Sequence, residues 1–598
     1  MILQRLVEYY DRLAVDPQSG VAAPGFSREK IGFALVIDPN GDNPVLQDLR
    51  EGEGKRLGPR MMSVPSRGGR QGTGLKPNFL WDNTGYVLGR DSKGKPERAL
   101  QMFQSFREFH EQMLAAIDDD GLRAVVAFLK RWNPADADKL ERFDEAIDKN
   151  LIFRVAKQQR FVHESQAVTS GWRAPVEADD APSVGQSLLS GDIGPIARLH
   201  PLISGVRGAQ TMGAALASFN LDAFTSYGLQ QTYNAPVGVA DAFKYTTALN
   251  RLLEDRQRTV FLGDATVVFW SERPTPLEDA AAALFGEMPV AASGADMPPE
   301  DRDRVQRVRL FLTQLRDGSA NSSAGAPDAS DGDTQFFVLG LSPNASRLSV
   351  RFWYDGTVRE MSARLRRHLA DCALDGTRDD DAPLTVRRIV QSTGRAIVRD
   401  GKFKGYDADA VSPLLGGAVA RSVLTDGPYP QMLLGALLNR LRADGATRHE
   451  RFAAIKACLV RNSRLSNSPK EVSVSLDSDR NDPPYLIGRL FALLEKVQSD
   501  SANGTINATI KDRYFSAASS TPGLVFPRLL RLAQHHLAKL DDRLKVFYDR
   551  QIGEVVGKLD RFASHMNLEE QGLFAIGYYH QRQSLYTKKV AKEGDANP

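Results

Sequence analysis

At 598 residues the chain exceeds what one hydrophobic core usually organises, so about two to four domains are expected. Apolar residues make up 42% and charged residues 25%, a globular composition that excludes a disordered or fibrous protein. A net charge of +3 excludes a general polycation, and two cysteines, Cys372 and Cys458, exclude a disulfide framework and read as ordinary buried thiols. No apolar run approaches the ~20 residues of a bilayer span. The start, MILQRLVEYYDRL, carries acids and aromatics where a signal peptide needs a basic end and an apolar run, which points to the cytoplasm and away from a membrane.

The first element is a helix, because Leu3, Leu6, Val7, Tyr10 and Leu13 recur at helical spacing. The stretch IGFALVIDPNGDNPVLQDL then predicts a strand, a turn on Asp38 to Gly41, and a second extended segment. From Gly54 to Trp81 no acid occurs, while Lys55, Arg56, Arg60, Arg67, Arg70 and Lys76 are positive. Within that run lies RGGRQGTGLKPNFLWDN, residues 67–83, whose first ten residues hold four glycines and three cations. TGYVLGR after it reads as another strand, so a basic glycine-rich loop is expected between strands. Residues 97–150 read as mainly helical, and LIFRVA, TVVFWSE, TQFFVLGLS and RLSVRFWY as strands, with Trp353 in the core. Two small, polar, acidic segments near 290–304 and 317–334 read as surface loops.

From about 405 the pattern turns helical. Asp482-Pro483-Pro484 reads as a cap and first turn before YLIGRLFALLEKVQ, and Asn567 with Glu570 has the spacing of a capping pair. The expected fold class is α+β, in three segments: a mixed α/β N-terminal region (1–404), a helical connector (405–473) and a C-terminal helical bundle (474–598).

Enzyme motifs are incomplete. Gly69 and Gly74 have the separation of a phosphate-binding P-loop, but Leu75 stands where the lysine belongs, and Pro77 follows Lys76 without the amide and hydroxyl that the motif uses. His110-Glu111 begins like a zinc-protease helix, yet Leu114 replaces the second histidine. His535 and His536 are adjacent, hence on different sides of a helix, and Asp328, Asp331 and Asp333 lack the pattern of a calcium loop. Catalysis, a metal and a cofactor are therefore not expected.

Several stretches together resemble a known family: MILQRLVEYYDRL, LKPNFLWDNTGYVLG, the long segment GVRGAQTMGAALASFNLDAFTSYGLQQTYNAPVGVADAFKYTTALN, GDATVVFWSE, FFVLGLSPNASRLSVRFW, PYLIGRLFALLEKVQ and FAIGYYHQRQSLY. In this order they resemble the large subunit of type I-C CRISPR surveillance complexes, the RNA-guided assemblies called Cascade. The resemblance implies that guide-RNA pairing reads the target while this chain reads a short flanking duplex motif, the PAM, and helps to open the duplex and form the R-loop. It implies partners: backbone subunits, a crRNA-processing subunit, small subunits, target double-stranded DNA, and a separate helicase-nuclease that does the cutting.

On this resemblance Arg67, Arg70 and Lys76 would supply charge to DNA phosphates, and Lys76 with Asn78 could reach base edges. Phe79 or Trp81 could wedge against the last base pair or could anchor the loop, and Asn83 is a further DNA-binding candidate. Asn220, Gln230 and Asn234 are secondary candidates, although Asn220, Tyr227 and Asn234 could equally bond buried backbone. In the family the small subunit resembles a separately translated copy of the C-terminal region, which here would start near Val474 or Val472. Arg489, Lys511, Arg513, Arg528, Arg531, Arg582, Lys588 and Lys589 could meet displaced single strand there, or could form a solvated helix surface. Two other readings stand beside this one: a pure assembly scaffold, and a degenerate nucleotide site at 67–76.

Overall fold

The computed structural model describes residues 2–16, 19–52, 54, 57–66, 74–172, 183–286, 332–376, 384–400, 402–444, 448–466, 471–502 and 508–586. The chain is α+β and divides into two compact units, one of residues 1–205 and 211–251, the other of 206–210 and 252–598.

In the first unit the opening helix, Ile2–Val15, buries Leu6 and Tyr10 of the expected face together with Tyr9, while Leu3, Val7 and Leu13 are half-buried. The central sheet has the order Val45–Asp48, Phe33–Ile37, Asn150–Val155, Trp81–Asn83. Phe33–Ile37 pairs antiparallel with Val45–Asp48 through the expected turn and parallel with Asn150–Val155, which requires a crossover. Helices Pro96–Ala116 and Asp120–Arg131 lie within that crossover. Gly41 turns the hairpin at φ +82°, and a Cβ there would collide with the backbone of helix Asp120–Arg131 at Phe128. Alternation along Phe33–Ile37 sends Phe33, Leu35 and Ile37 into a core with Phe103, Phe106, Phe128 and Phe153. Ala34 faces the other side, with Ile31, Met62, Val64, Trp81 and Ile152. A two-stranded ribbon, Phe26–Ile31 with Arg60–Pro65, supplies part of that second layer.

TGYVLGR is not a strand. The strand stops at Asn83, whose side-chain oxygen accepts the Gly85 amide at 3.0 Å and caps a helical turn, Thr84–Val87. The β-propensity of the tyrosine and valine yields to that local cap.

In the second unit four antiparallel strands run in the order Arg347–Thr357, Gln335–Asn344, Ala265–Ser271, Thr259–Leu262. One face puts Phe269, Phe336, Val338, Phe352 and Tyr354 into a core that continues through the helices to Tyr579. The other face carries an aromatic stack of Trp270, Phe337 and Trp353, so the expected core residue Trp353 is half-buried, with its ring 5.8 Å from that of Phe337. The three expected segments, 1–404, 405–473 and 474–598, therefore do not match the cores, because one core spans Val260 to Tyr579. Residues 290–304 and 317–331, expected as surface loops, lie outside the described residues.

Both C-terminal helices form, one with the cap its sequence predicts and one without. Asn567 and Glu570 exchange bonds of 2.7 and 3.0 Å at the head of Leu568–Tyr586. Two prolines open Pro483–Ser501, though Asp482 makes no side-chain cap and pairs with Arg480 instead. These two helices touch backbone to backbone: a Cβ on Gly488 would strike the Phe574 carbonyl, and one on Gly577 the Tyr485 carbonyl.

Candidate nucleic-acid interface

The basic loop is clasped at its base. Strand Arg60–Pro65 leads into it, and the Ser66 amide donates to the Gly25 carbonyl at 2.8 Å. On the return side the Trp81 indole N–H donates to the Pro65 carbonyl at 2.8 Å, so the two ends of residues 66–80 meet. Trp81 itself sits on the strand that pairs with Asn150–Val155.

The return segment is fixed by buried polar groups. The Asp82 carboxylate accepts the amides of Asn78 (3.0 Å) and Asn83 (2.8 Å). Leu80 adopts φ +63°, a conformation unusual outside glycine. Its amide donates to Nε2 of His110 at 2.8 Å, while His110 Nδ1 bonds the Phe106 carbonyl at 2.8 Å. Those two bonds assign a neutral ring with its proton on Nδ1. Burial pushes the His110 pKa down to about 4, against a smaller opposite effect of the Phe106 carbonyl. Phe79 stacks on Trp172 at 4.6 Å and on His110 at 5.4 Å.

These contacts sort the sequence candidates. Arg67 and Arg70 lie outside the described residues. Lys76 is half-buried, with its amide donating to the Tyr86 hydroxyl at 3.3 Å. Asn78, expected at the surface, is 8% exposed, and Phe79 is 0% exposed. The glycines and charges suggested exposure, but the apolar run Phe79-Leu80-Trp81 draws its neighbours into the core. Phe79 and Trp81 thus take the anchoring role of the two that the sequence left open, and Asn83 is a helix cap.

Elsewhere Asn234 organises its own loop: its side chain accepts the Ser226 amide and donates to the carbonyls of Leu229 and Gln231. Asn220 and Gln230 are exposed, and Tyr227, a scaffolding candidate, is 99% exposed instead. Arg489 is buried and donates to Gln581 at 3.0 Å, with its pKa lowered by burial. Lys511 is also buried, and burial lowers its pKa to about 8. Arg582 is held by the Tyr578 hydroxyl at 3.1 Å. Neither Arg489 nor Lys511 presents its charge to a phosphate in this arrangement. Arg513, Arg528 and Arg531 are exposed, the last two one turn apart on helix Pro522–Leu537. Lys588 and Lys589 lie outside the described residues. Among the described residues no cluster of three or more His, Cys, Asp or Glu side chains can hold a metal ion, and no helix is long and apolar enough to cross a membrane.

Three features escaped the sequence reading. The Trp81 clasp and the His110 bond to Leu80 join residues 16 and 30 positions apart, and no local pattern announces such pairs. The third, a basic hairpin at 396–406, carried a legible signal in Asp400-Gly401 between extended segments.

A family model described as CRISPR-associated protein (Cas_Csd1) matches residues 6–586. The chain belongs to that family. No curated protein matches it. The match spans both units, so the clasped loop and the helical C-terminal region are parts of one CRISPR-associated chain, as the quoted stretches implied.

Proposed function

We propose that this CRISPR-associated chain is the noncatalytic large subunit of a type I-C guide-RNA complex, and that it reads the PAM through its 67–76 loop. The observation that carries the reading is the clasp. A run without acids from Gly54 to Trp81 ends in a base locked by the Pro65–Trp81 bond and by Phe79 in the core. Such a mount fixes where the segment carrying these cations leaves and rejoins the fold, and it holds the backbone beside Lys76.

In this reading Arg67 and Arg70 hold backbone phosphates and Lys76 reaches base edges, while Asn78, Phe79, Trp81 and Asn83 support the mount. The backbone subunits, the crRNA-processing subunit and small subunits made from the 474–598 region are its partners, and duplex cutting belongs to a recruited helicase-nuclease.

The test uses guide-loaded complexes carrying Lys76→Ala or the pair Arg67→Ala and Arg70→Ala, with assembly checked in each. Binding is measured on matched duplexes with and without the PAM. Lys76→Ala is expected to cost about 1–3 kcal/mol on PAM-bearing duplex alone, and the arginine pair to weaken both duplexes alike. An undiminished PAM preference in assembled Lys76→Ala complexes would refute the reading and favour an assembly scaffold.

A further inference from the structure

Strands Ala396–Arg399 and Lys402–Tyr406 form an antiparallel hairpin that pairs with no other strand among the described residues. An isolated two-stranded hairpin is marginal in water, so its position depends on what holds its base. That base is strongly held. The Ala396 amide donates to Asp444 at 3.0 Å, the Tyr406 hydroxyl to Glu450 at 2.6 Å, and the Asp407 amide to the Arg395 carbonyl at 2.9 Å. The Arg448 guanidinium lies 3.3 Å over the Phe403 ring. Arg451, 0% exposed, donates to the carbonyls of Ser392 and Gly394 and to Asp444. All these anchors come from the same unit as the hairpin.

The tip is different. Arg399, Lys402 and Lys404 are exposed, and their side chains make no hydrogen bond or ion pair with any described residue. Arg399 stands directly opposite Lys402 in the register. Lys404 is the extra residue of a β-bulge, since Ile397 pairs with Gly405 and Val398 with Phe403, so it stands beside the ladder with no residue across from it. Like charges set directly across a ladder destabilise it. Asp400, in the turn at φ +53°, is the one acid between Arg399 and Tyr406. Among the described residues none pairs with these three side chains, while the bonds at the base fix where the hairpin starts and ends.

We infer that this hairpin tip binds a phosphodiester backbone through Arg399, Lys402 and Lys404. The inference rests on the reading above that the chain works on nucleic acid. An anion is what relieves the Arg399–Lys402 repulsion, and a two-stranded ribbon has the width to lie along a duplex groove. The backbone can belong to the target DNA or to the guide RNA, and the experiment separates them.

In the full complex, Arg399→Gln, Lys402→Gln and Lys404→Gln are combined. Target-duplex affinity is followed from 50 to 200 mM salt, and guide content of the purified complex is measured. If the tip holds DNA, the salt slope falls by about 0.9 per lost contact, about 2.7 in all, and the affinity lost across that salt range shrinks about 40-fold. If it holds the guide, RNA content drops instead. Either result supports the inference. An unchanged slope with unchanged RNA content overturns it, and an acidic protein partner then becomes the reading of the tip.

Two controls keep the result decisive. Arg399→Lys should behave as native, since it keeps the charge. The triple variant should melt no lower than native, because the substitutions remove repulsion, and a variant that unfolds would also overturn the argument. A complex whose DNA affinity is unaffected by omitting the whole chain would instead refute the reading on which the inference rests, a failure distinct from a silent hairpin.

Discussion

His110 makes the loop mount sensitive to acid, in a direction fixed by its bonding. Its folded-state pKa of about 4 lies below the ordinary 6.5, so between those values the unfolded chain binds a proton that the folded chain refuses. Stability from this group is therefore complete above pH 6.5 and is lost as pH falls toward 4. A proton on Nε2 would also confront the Leu80 amide with a second donor. Each pH unit in the window is worth about 1.4 kcal/mol, so lowering pH from 7 to 5 costs about 2 kcal/mol, or about 30-fold in the opening equilibrium.

The perturbation that isolates it is His110→Gln, which offers an acceptor to Leu80 and does not titrate. The assay is hydrogen exchange at the Leu80 and Trp81 amides of the intact chain at pH 7 and pH 5, corrected for intrinsic exchange. Native protection should fall about 30-fold more than that of the variant. His163 and His200 share the unit and are likewise pushed down to about 4 by burial, so both proteins keep a residual acid sensitivity of the same sign. Equal losses of protection in the two proteins would refute the assignment of a neutral, acceptor His110.

Two further substitutions probe the two units separately. Trp81→Phe keeps a ring in the sheet but leaves the Pro65 carbonyl without its donor, which should cost about 1–3 kcal/mol and weaken PAM preference although Lys76 is intact. Unchanged stability by urea unfolding would remove the clasp from the argument. Asp371→Ala strips the carboxylate from Arg461, whose side chain is 0% exposed and bonded at 3.0 Å, and also from Arg464 at 2.8 Å. The buried guanidinium then keeps only the Ser422 carbonyl at 3.0 Å and Asp426 at 3.8 Å, which should cost about 1–3 kcal/mol by calorimetry, and unchanged stability would contradict the pairing.

Much of this fold was legible because its elements are locally consistent. The alternation in Phe33–Ile37, the capping pair at Asn567 and Glu570, and the strands at Ala265–Ser271 and Gln335–Asn344 each follow from short-range pattern. The site was legible only in outline. Its charge and glycine content marked a loop, but the residues on the return side are placed by the left-handed Leu80 and by a histidine 30 positions away. Read for composition alone, Phe79 and Trp81 were equally suited to a base pair and to a core.

Arg489 and Lys511, read as surface cations, are buried for a related reason. YLIGRLFALL is apolar around its whole circumference, which marks a helix buried on all sides, and Arg489 inside it meets Gln581 rather than solvent. The same fact explains why the change from strands to helices near 405 marks no boundary. The helices after 474 complete a core begun at Val260: the Phe452 ring stacks on Tyr579 at 4.6 Å, and Gly572 lets Leu459 approach. A shift in secondary structure reports only the local period of the sequence. A domain boundary requires that few apolar contacts cross it, and across 405 and 474 those contacts are what hold the unit together.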